Sequence, residues 1–282
     1  MSSSPLSSAQ AARKAIADQL DQIRRDAGKT GLELADECGW HKSKSSRIAR
    51  GITMPSDEDI RAWCTACGVP ERAPDLIAAS RTAESMYTRW RDLHRNGMTR
   101  VHQTTTPLYQ RTRRFRVYAS NLMPGMTQTG PYATGLLKSI TAFQGTPDDV
   151  GKAVQARLNR SRVMVEGDHQ FALLMEEAVL YYAVCDDEDM ADQLDHLLDV
   201  MARPNVSLGV IPFRARRTVW PLEAFYAFDS ELVAVETLTA EINVTAPGEI
   251  GTYLRAFADL ARVAVYGGAA RELILKARNS RG

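Results

Sequence analysis

Residues 41–50, HKSKSSRIAR, carry Lys42, Lys44, Arg47 and Arg50 and no acid. If this stretch is helical, Lys42, Ser43 and Lys44 occupy its first turn. Ser46 and Arg47 then lie one turn further along the same outward face, and Ile48 turns inward. Lysine and arginine donate to guanine O6 and N7, and serine serves either type of base, so such a row can read base edges. Arg50 and Thr53, at its far end, suit phosphate oxygens. Upstream, Thr30 and Gly31 open another helix, whose free first-turn amides suit a phosphate as well.

These side chains need a frame, and the surrounding sequence predicts an all-helical one. Ala12, Ile16, Leu20, Ile23 and Ala27 recur at helical spacing up to Gly28. Thr30-Gly31-Leu32-Glu33 is a capping box for a short helix that turns Leu34, Ala35 and Cys38 inward and ends at Gly39. The basic stretch forms the third helix, which stops at Gly51. Ser56, followed by three acids, caps a fourth built on Ile60, Trp63, Cys64 and Cys67. A fifth is expected from Pro74 to His94 on Leu76, Ala79, Ala83, Met86, Trp90 and Leu93, with Gly97 closing the module. The second and third helices, joined through Gly39 and Trp40, form a helix-turn-helix: the first crosses the DNA backbone and the second enters the major groove. A solvated basic helix in a helical domain is the bland alternative. The capping box, the glycine between the helices, the acid-free face and the five-helix frame favour double-stranded DNA as the partner.

Over the whole chain of 282 residues, 35 Lys and Arg balance 34 Asp and Glu, and 44% of residues are hydrophobic. Such a composition excludes a disordered chain, a disulfide-rich mini-protein and a fibrous repeat, and the length suggests two domains. No apolar run approaches a membrane span and no export signal opens the chain, so a cytoplasmic location is expected. The near-zero net charge hides segregation: residues 81–116 hold nine Arg and two acids, and residues 186–199 hold seven acids and no base. The expected organisation is a helix-turn-helix domain over 9–97, a basic connector over 98–116 and an α+β regulatory or interaction domain over 117–278. In that second domain helices are expected over 131–140, 146–165, 189–201 and 250–265. Strands are expected over 171–174, 206–213, 224–228, 232–236 and 242–245.

Other candidate chemistry is thinner. Cys64 and Cys67 form a CxxC, and Cys38 with His41 would complete a zinc site, but the cysteines fall on apolar helix faces where they act as small hydrophobes. Cys185 has no evident partner, and the five histidines show no ligand spacing. Glu176 and Glu177 are expected to point apart on a helix, and Gly267-Gly268 to terminate one. No metal, cofactor or enzymatic activity is expected. Arg214, Arg216 and Arg217 beside Trp220 are a candidate ligand or partner surface. The acidic stretch 186–199 is expected to be a solvated face, or else to dock the basic connector.

Residues 12–68, and GWHKSKSSRIARGITMPSDEDIRAWCTACG (39–68) above all, resemble the Xre/Cro-type helix-turn-helix. The rest is similar to the WhiJ-like bacterial regulators over LMPGMTQTGPYATGLL (122–137), ARLNRSRVMV (156–165), FALLMEEAVL (171–180), QLDHLL (193–198), VSLGVIPF (206–213) and LVAVET (232–237). The resemblance implies a DNA-binding transcriptional regulator, often paired with a small protein encoded nearby in an antitoxin-like arrangement. Three positions depart from the family's pattern: Ser45 where an apolar residue packs the recognition helix, Ala49 for a common Glu, and His41 where a Ser caps. Each is expected to loosen that helix by about 1 kcal/mol. Because one module reads few base pairs, a homodimer is expected. Two other readings stand beside this one: a module whose main task is to hold the small partner, and a small-molecule-responsive regulator.

Overall fold

The computed structural model describes residues 5–85, 87–89 and 97–281, with side chains over 12–77, 79–80 and 97–281. The chain divides into two units, Met1–Thr88 and Arg89–Gly282. The first unit holds α1 (Pro5–Asp26), α2 (Gly31–Glu37), α3 (Lys42–Ala49), α4 (Asp57–Ala66) and α5 (Ala73–Ser85). The apolar stripe of α1 carries Ile16, Leu20 and Ile23 into a core shared with Leu34, Ile48, Ile60, Trp63 and Leu76. Trp63 Nε1 donates to the Leu20 carbonyl at 2.9 Å, so the largest buried side chain of α4 is also hydrogen-bonded to α1. Both capping boxes form, Thr30 with Glu33 and Ser56 with Asp59. α5 ends at Ser85 rather than His94. A three-residue strand, β1 (Tyr87–Arg89), follows it, where Tyr and Thr suit an extended backbone better than a helix. Met86, Trp90 and Leu93, expected on the fifth helix, lie outside the described residues.

The second unit mixes helices with a sheet, which makes the chain α+β overall. Six of its strands are β2 (Arg114–Ala119), β3 (Gln170–Glu176), β4 (Val206–Ile211), β5 (Phe225–Phe228), β6 (Leu232–Glu236) and β7 (Ala240–Val244). They lie in the order β7-β6-β5-β2-β3-β4. β2, β3 and β4 are parallel, while β5, β6 and β7 form an antiparallel meander that joins β2 through β5. Parallel neighbours need crossovers. Helices α7 (Gly130–Gln144) and α8 (Val150–Ser161) lie between β2 and β3, and α9 (Asp187–Met201) lies between β3 and β4. The two faces of β5 are covered differently. Phe225 meets Tyr253 and Phe257 of α10 (Pro247–Val263), whereas Phe228 packs on Tyr109 of α6 (Thr99–Arg111).

Residues 98–116 are therefore not a connector. They hold α6 and the start of β2, regular elements of the second unit. Thr104, Thr105 and Thr106 turn their hydroxyls back onto the carbonyls of Val101 and His102, so three residues of low helix preference are accommodated in a helix that no aliphatic stripe announces. Asp149 accepts from the amides of Met98 and Thr99 at 2.9 and 2.8 Å and so caps α6. Burial raises the Asp149 carboxyl, but the Thr99 hydroxyl and these amides outweigh it and hold the group below its usual range. Gly97 serves that contact rather than ending the first module. Its φ is +91°, and a Cβ there would fall 2.4 Å from Asp149 Oδ2.

Gly267-Gly268 does not terminate a helix but begins one, α11 (Gly267–Asn279), which buries Ala270, Ile274 and Ala277. The expected acidic helix is α9, with Met190, Leu194, Leu197 and Val200 buried. Most of its acids are exposed, as a solvated face would be, and among the described residues two of them pair with arginines after α11's core positions rather than with residues 98–116. Asp195 and Asp187 pair with Arg278 and Arg281 at 3.0 and 3.1 Å.

Candidate nucleic-acid interface

The tight turn between α2 and α3 is built by backbone geometry. Gly39 adopts φ +66°, a conformation that favours glycine, and the Trp40 amide returns to the Ala35 carbonyl at 2.7 Å. Ile48 is fully buried and fixes the roll of α3. Ser45, at 2% exposure, donates to the Gly31 carbonyl at 2.9 Å and approaches the Lys42 carbonyl at 3.2 Å. A hydroxyl here clamps α3 to the first turn of α2. His41 caps α3, its Nδ1 accepting from the Ser43 amide at 3.3 Å. The loosening expected at these two positions is thus countered by hydrogen bonds that a residue-by-residue comparison does not reveal.

With the roll fixed, Lys42, Ser43, Ser46, Arg47 and Arg50 are all exposed on one side of α3. Among the described residues neither Lys42 nor Arg47 has a carboxylate within ion-pair distance. Arg50 Nε donates to the Ser46 carbonyl at 3.1 Å, which leaves the outer guanidinium nitrogens at the end of the helix.

Lys44 stands apart. Its Nζ lies 2.6 Å from Asp59 Oδ1 and 4.5 Å from the centroid of the Trp40 ring. Asp59 also completes the cap of α4, since its Oδ2 accepts from the Ser56 amide at 3.1 Å. Burial raises the Asp59 carboxyl, but the hydrogen bonds from Lys44 and Ser56 outweigh it and hold the group below its usual range. From the sequence Asp59 is legible only as one of the three acids after the Ser56 cap, and nothing local to it announces its pairing with Lys44 fifteen residues earlier.

The remaining expected contacts divide. The Thr30 hydroxyl accepts from the Glu33 amide and Glu33 Oε2 accepts from the Thr30 amide at 2.7 Å, so a carboxylate already sits at the N-terminus of α2. A phosphate approaching Gly31 would meet that charge. Thr53 is half-buried, and its Oγ1 is sealed from solvent with no hydrogen-bond partner among the described residues, so the hydroxyl faces away from any phosphate.

The candidate surface of the second unit also separates. Trp220 is 72% exposed, and Arg214 and Arg216 are exposed. Arg217 instead makes a two-pronged ion pair with Glu176, whose Oε1 also accepts from the Tyr118 hydroxyl at 2.7 Å. The Glu176 hydrogen bond raises the guanidinium's pKa, while burial, then the same carboxylate, raises that of Tyr118. Glu176 and Glu177 are not on one helix: the first ends β3, the second opens a single turn, and both are buried. Glu177 Oε2 accepts from the Phe213 amide at 2.8 Å. Burial raises the Cys38, Cys64 and Cys67 thiols, and among the described residues no three His, Cys, Asp or Glu side chains come together as metal ligands. No described helix is long and apolar enough to cross a membrane.

The family description "Domain of unknown function (DUF5753)" matches residues 104–276. The chain belongs to the DUF5753 family. A second description, "Helix-turn-helix domain", matches residues 15–76 and so covers the α2–α3 unit and its supporting helices. No curated protein sequence matches the chain. One solved structure similar to it is that of TrmBL2, described as an archaeal chromatin protein that shows a novel mode of DNA binding. The two share 10% identity and a TM-score of 0.32 over 84% of this chain and 88% of that one. A likeness at that level says nothing of the partners of this DUF5753 chain.

Proposed function

We propose that this DUF5753-family chain is a sequence-specific, DNA-binding transcriptional regulator of the Xre type, close to the WhiJ-like group, that lays α3 in the major groove. The observation that carries this reading is the acid-free outer face of α3, where Lys42 and Arg47 are exposed without ion-pair partners among the described residues. Arg47, Lys42, Ser43 and Ser46 read base edges, and Arg50 holds a phosphate. Lys44 positions α3 through Asp59 instead of reading bases. The chain acts as a homodimer, because a module that reads only a few base pairs gains specificity from two half-sites one helical turn apart. The role is that of a cytoplasmic binding protein and not of an enzyme.

Selection from random duplexes, followed by titration of the recovered site, tests this. Arg47→Ala is expected to weaken binding by about 1–3 kcal/mol and to relax preference at one base position. Unchanged selection and affinity would sink the proposal.

A second reading rests on Phe213 and Trp220, which are 61% and 72% exposed on the segment after β4. Large exposed aromatics suit a protein partner, and a small protein encoded nearby is the occupant this reading names. A complex that survives removal of DNA and is lost in Trp220→Ala supports it.

A further inference from the structure

Arg157 and Arg160 lie one turn apart on α8, and both are only half-buried. Arg157 Nη1 donates to Gln128 Oε1 at 2.6 Å and Arg160 Nη1 donates to Thr105 Oγ1 at 2.5 Å. Both acceptors are neutral. Arg157 Nε is sealed from solvent with no hydrogen-bond partner among the described residues. The Arg160 guanidinium lies over the Tyr109 ring, 4.4 Å from its centroid. Tyr226 of β5 lies beside them: its hydroxyl accepts from the Gly125 amide at 2.9 Å, and a Cβ on Gly125 would fall 3.9 Å from Arg160 Nη2 and 4.0 Å from that hydroxyl.

Tyr226 also belongs to one face of the sheet. Tyr226 pairs with Ala234 on β6 and Ala234 with Asn243 on β7, so Glu236 and Glu241, each two residues along, lie on the same face. They are also direct partners across the two strands, an arrangement of like charges that costs stability when nothing lies between them. Asn243 Nδ2 donates to Glu241 Oε1 at 3.2 Å, and Glu236 is exposed. Burial, then Glu236, raises the Glu241 carboxyl, and burial, then Arg160, lowers the Arg157 guanidinium. Among the described residues no Arg–Glu pair between α8 and these strands is within ion-pair distance.

We infer that the space between α8 and the β5–β7 face is a binding site for a small zwitterion, its carboxylate held by Arg157 and Arg160 and its ammonium by Glu236 and Glu241. Tyr109 and Tyr226 supply the walls beside its apolar middle. The two pairs of like charge are then each relieved by the opposite charge of the ligand. The site lies wholly in the second unit, so its occupancy is separable from the reading of α3 as a DNA-binding element.

The test is thermal unfolding of the full chain with each of the twenty amino acids. It is repeated with the series glycine, β-alanine, γ-aminobutyrate and ε-aminocaproate, in which the two charges are progressively separated. At roughly tenfold over its Kd the fitting zwitterion is expected to raise Tm by about 3–6 °C. Butyrate, butylamine and inorganic phosphate at equal concentration should do far less. Arg157→Gln and Glu241→Gln should each abolish the rise. The inference is overturned if no zwitterion exceeds its monofunctional counterparts in the wild-type chain, a comparison that needs no variant. Equal effects of phosphate, or a rise that persists in Glu241→Gln, overturn it as well.

Discussion

The outer face of α3 and the inner face of α8 both display basic side chains one helical turn apart, yet the protein uses them in opposite ways. On α3, Lys42 and Arg47 are exposed, keep their water and have no acid within reach among the described residues. On α8, Arg157 and Arg160 are half-withdrawn from water and rest on neutral acceptors and an aromatic ring. A cation in water costs nothing to keep and is free to meet a phosphate or a base. One withdrawn from water is costly unless something compensates it. Arg217, between these extremes, is compensated within the fold by Glu176.

Breaking that internal compensation should have the largest effect. Glu176→Ala leaves Arg217 and the Tyr118 hydroxyl without their acceptor at a site where the Glu176 side chain is only 9% exposed. A loss of about 3–5 kcal/mol in unfolding free energy is expected in urea titration. A loss below about 1 kcal/mol would mean that Arg217 finds water easily, and the contrast between buried and exposed cations would weaken. Arg47→Ala should do the reverse, changing stability by less than about 0.5 kcal/mol while costing about 1–3 kcal/mol of operator affinity.

Lys44→Ala should cost about 0.5–1 kcal/mol of stability, since the Lys44 side chain is itself 42% exposed. It should leave base preference intact in the selection that Arg47→Ala alters. The same pair carries a pH signature. The Asp59 carboxyl is held below its usual range in the fold, so its contribution is present above the unfolded value of about 3.9. That contribution fades as pH falls further, and thermal scans from pH 5 to pH 2 should show a slope that Asp59→Asn reduces. The smallest expected effect is that of Arg50→Ala: affinity falls alike for every sequence, and the slope of log K against log salt becomes shallower by about 0.9.

The first unit was the more legible in sequence, for local reasons. Capping boxes, terminating glycines and the stripe of Ile16, Leu20 and Ile23 act within a few residues of each other, and α2, α3 and α4 fall where those signals place them. The helix-turn-helix and most of its exposed face follow from them. Misreadings gathered where a residue's role depends on something distant in the chain. α6 was hidden because its threonines bond to their own backbone and its cap, Asp149, lies some fifty residues on. Gly97 looked like a terminator but answers to that same carboxylate.

By itself the sequence determined the chain's two-part composition, the helical frame of its first unit and the acid-free face of α3. Each depends on spacing, capping and charge that neighbouring residues carry. Only the tertiary structure decided which cations remain free. It drew Lys44 to Asp59 and Arg217 to Glu176, and it left Arg157 and Arg160 on the neutral acceptors Gln128 and Thr105. Partners brought together across the fold set how much water a charge keeps, and the water it keeps decides whether the charge supports the fold or waits for a ligand.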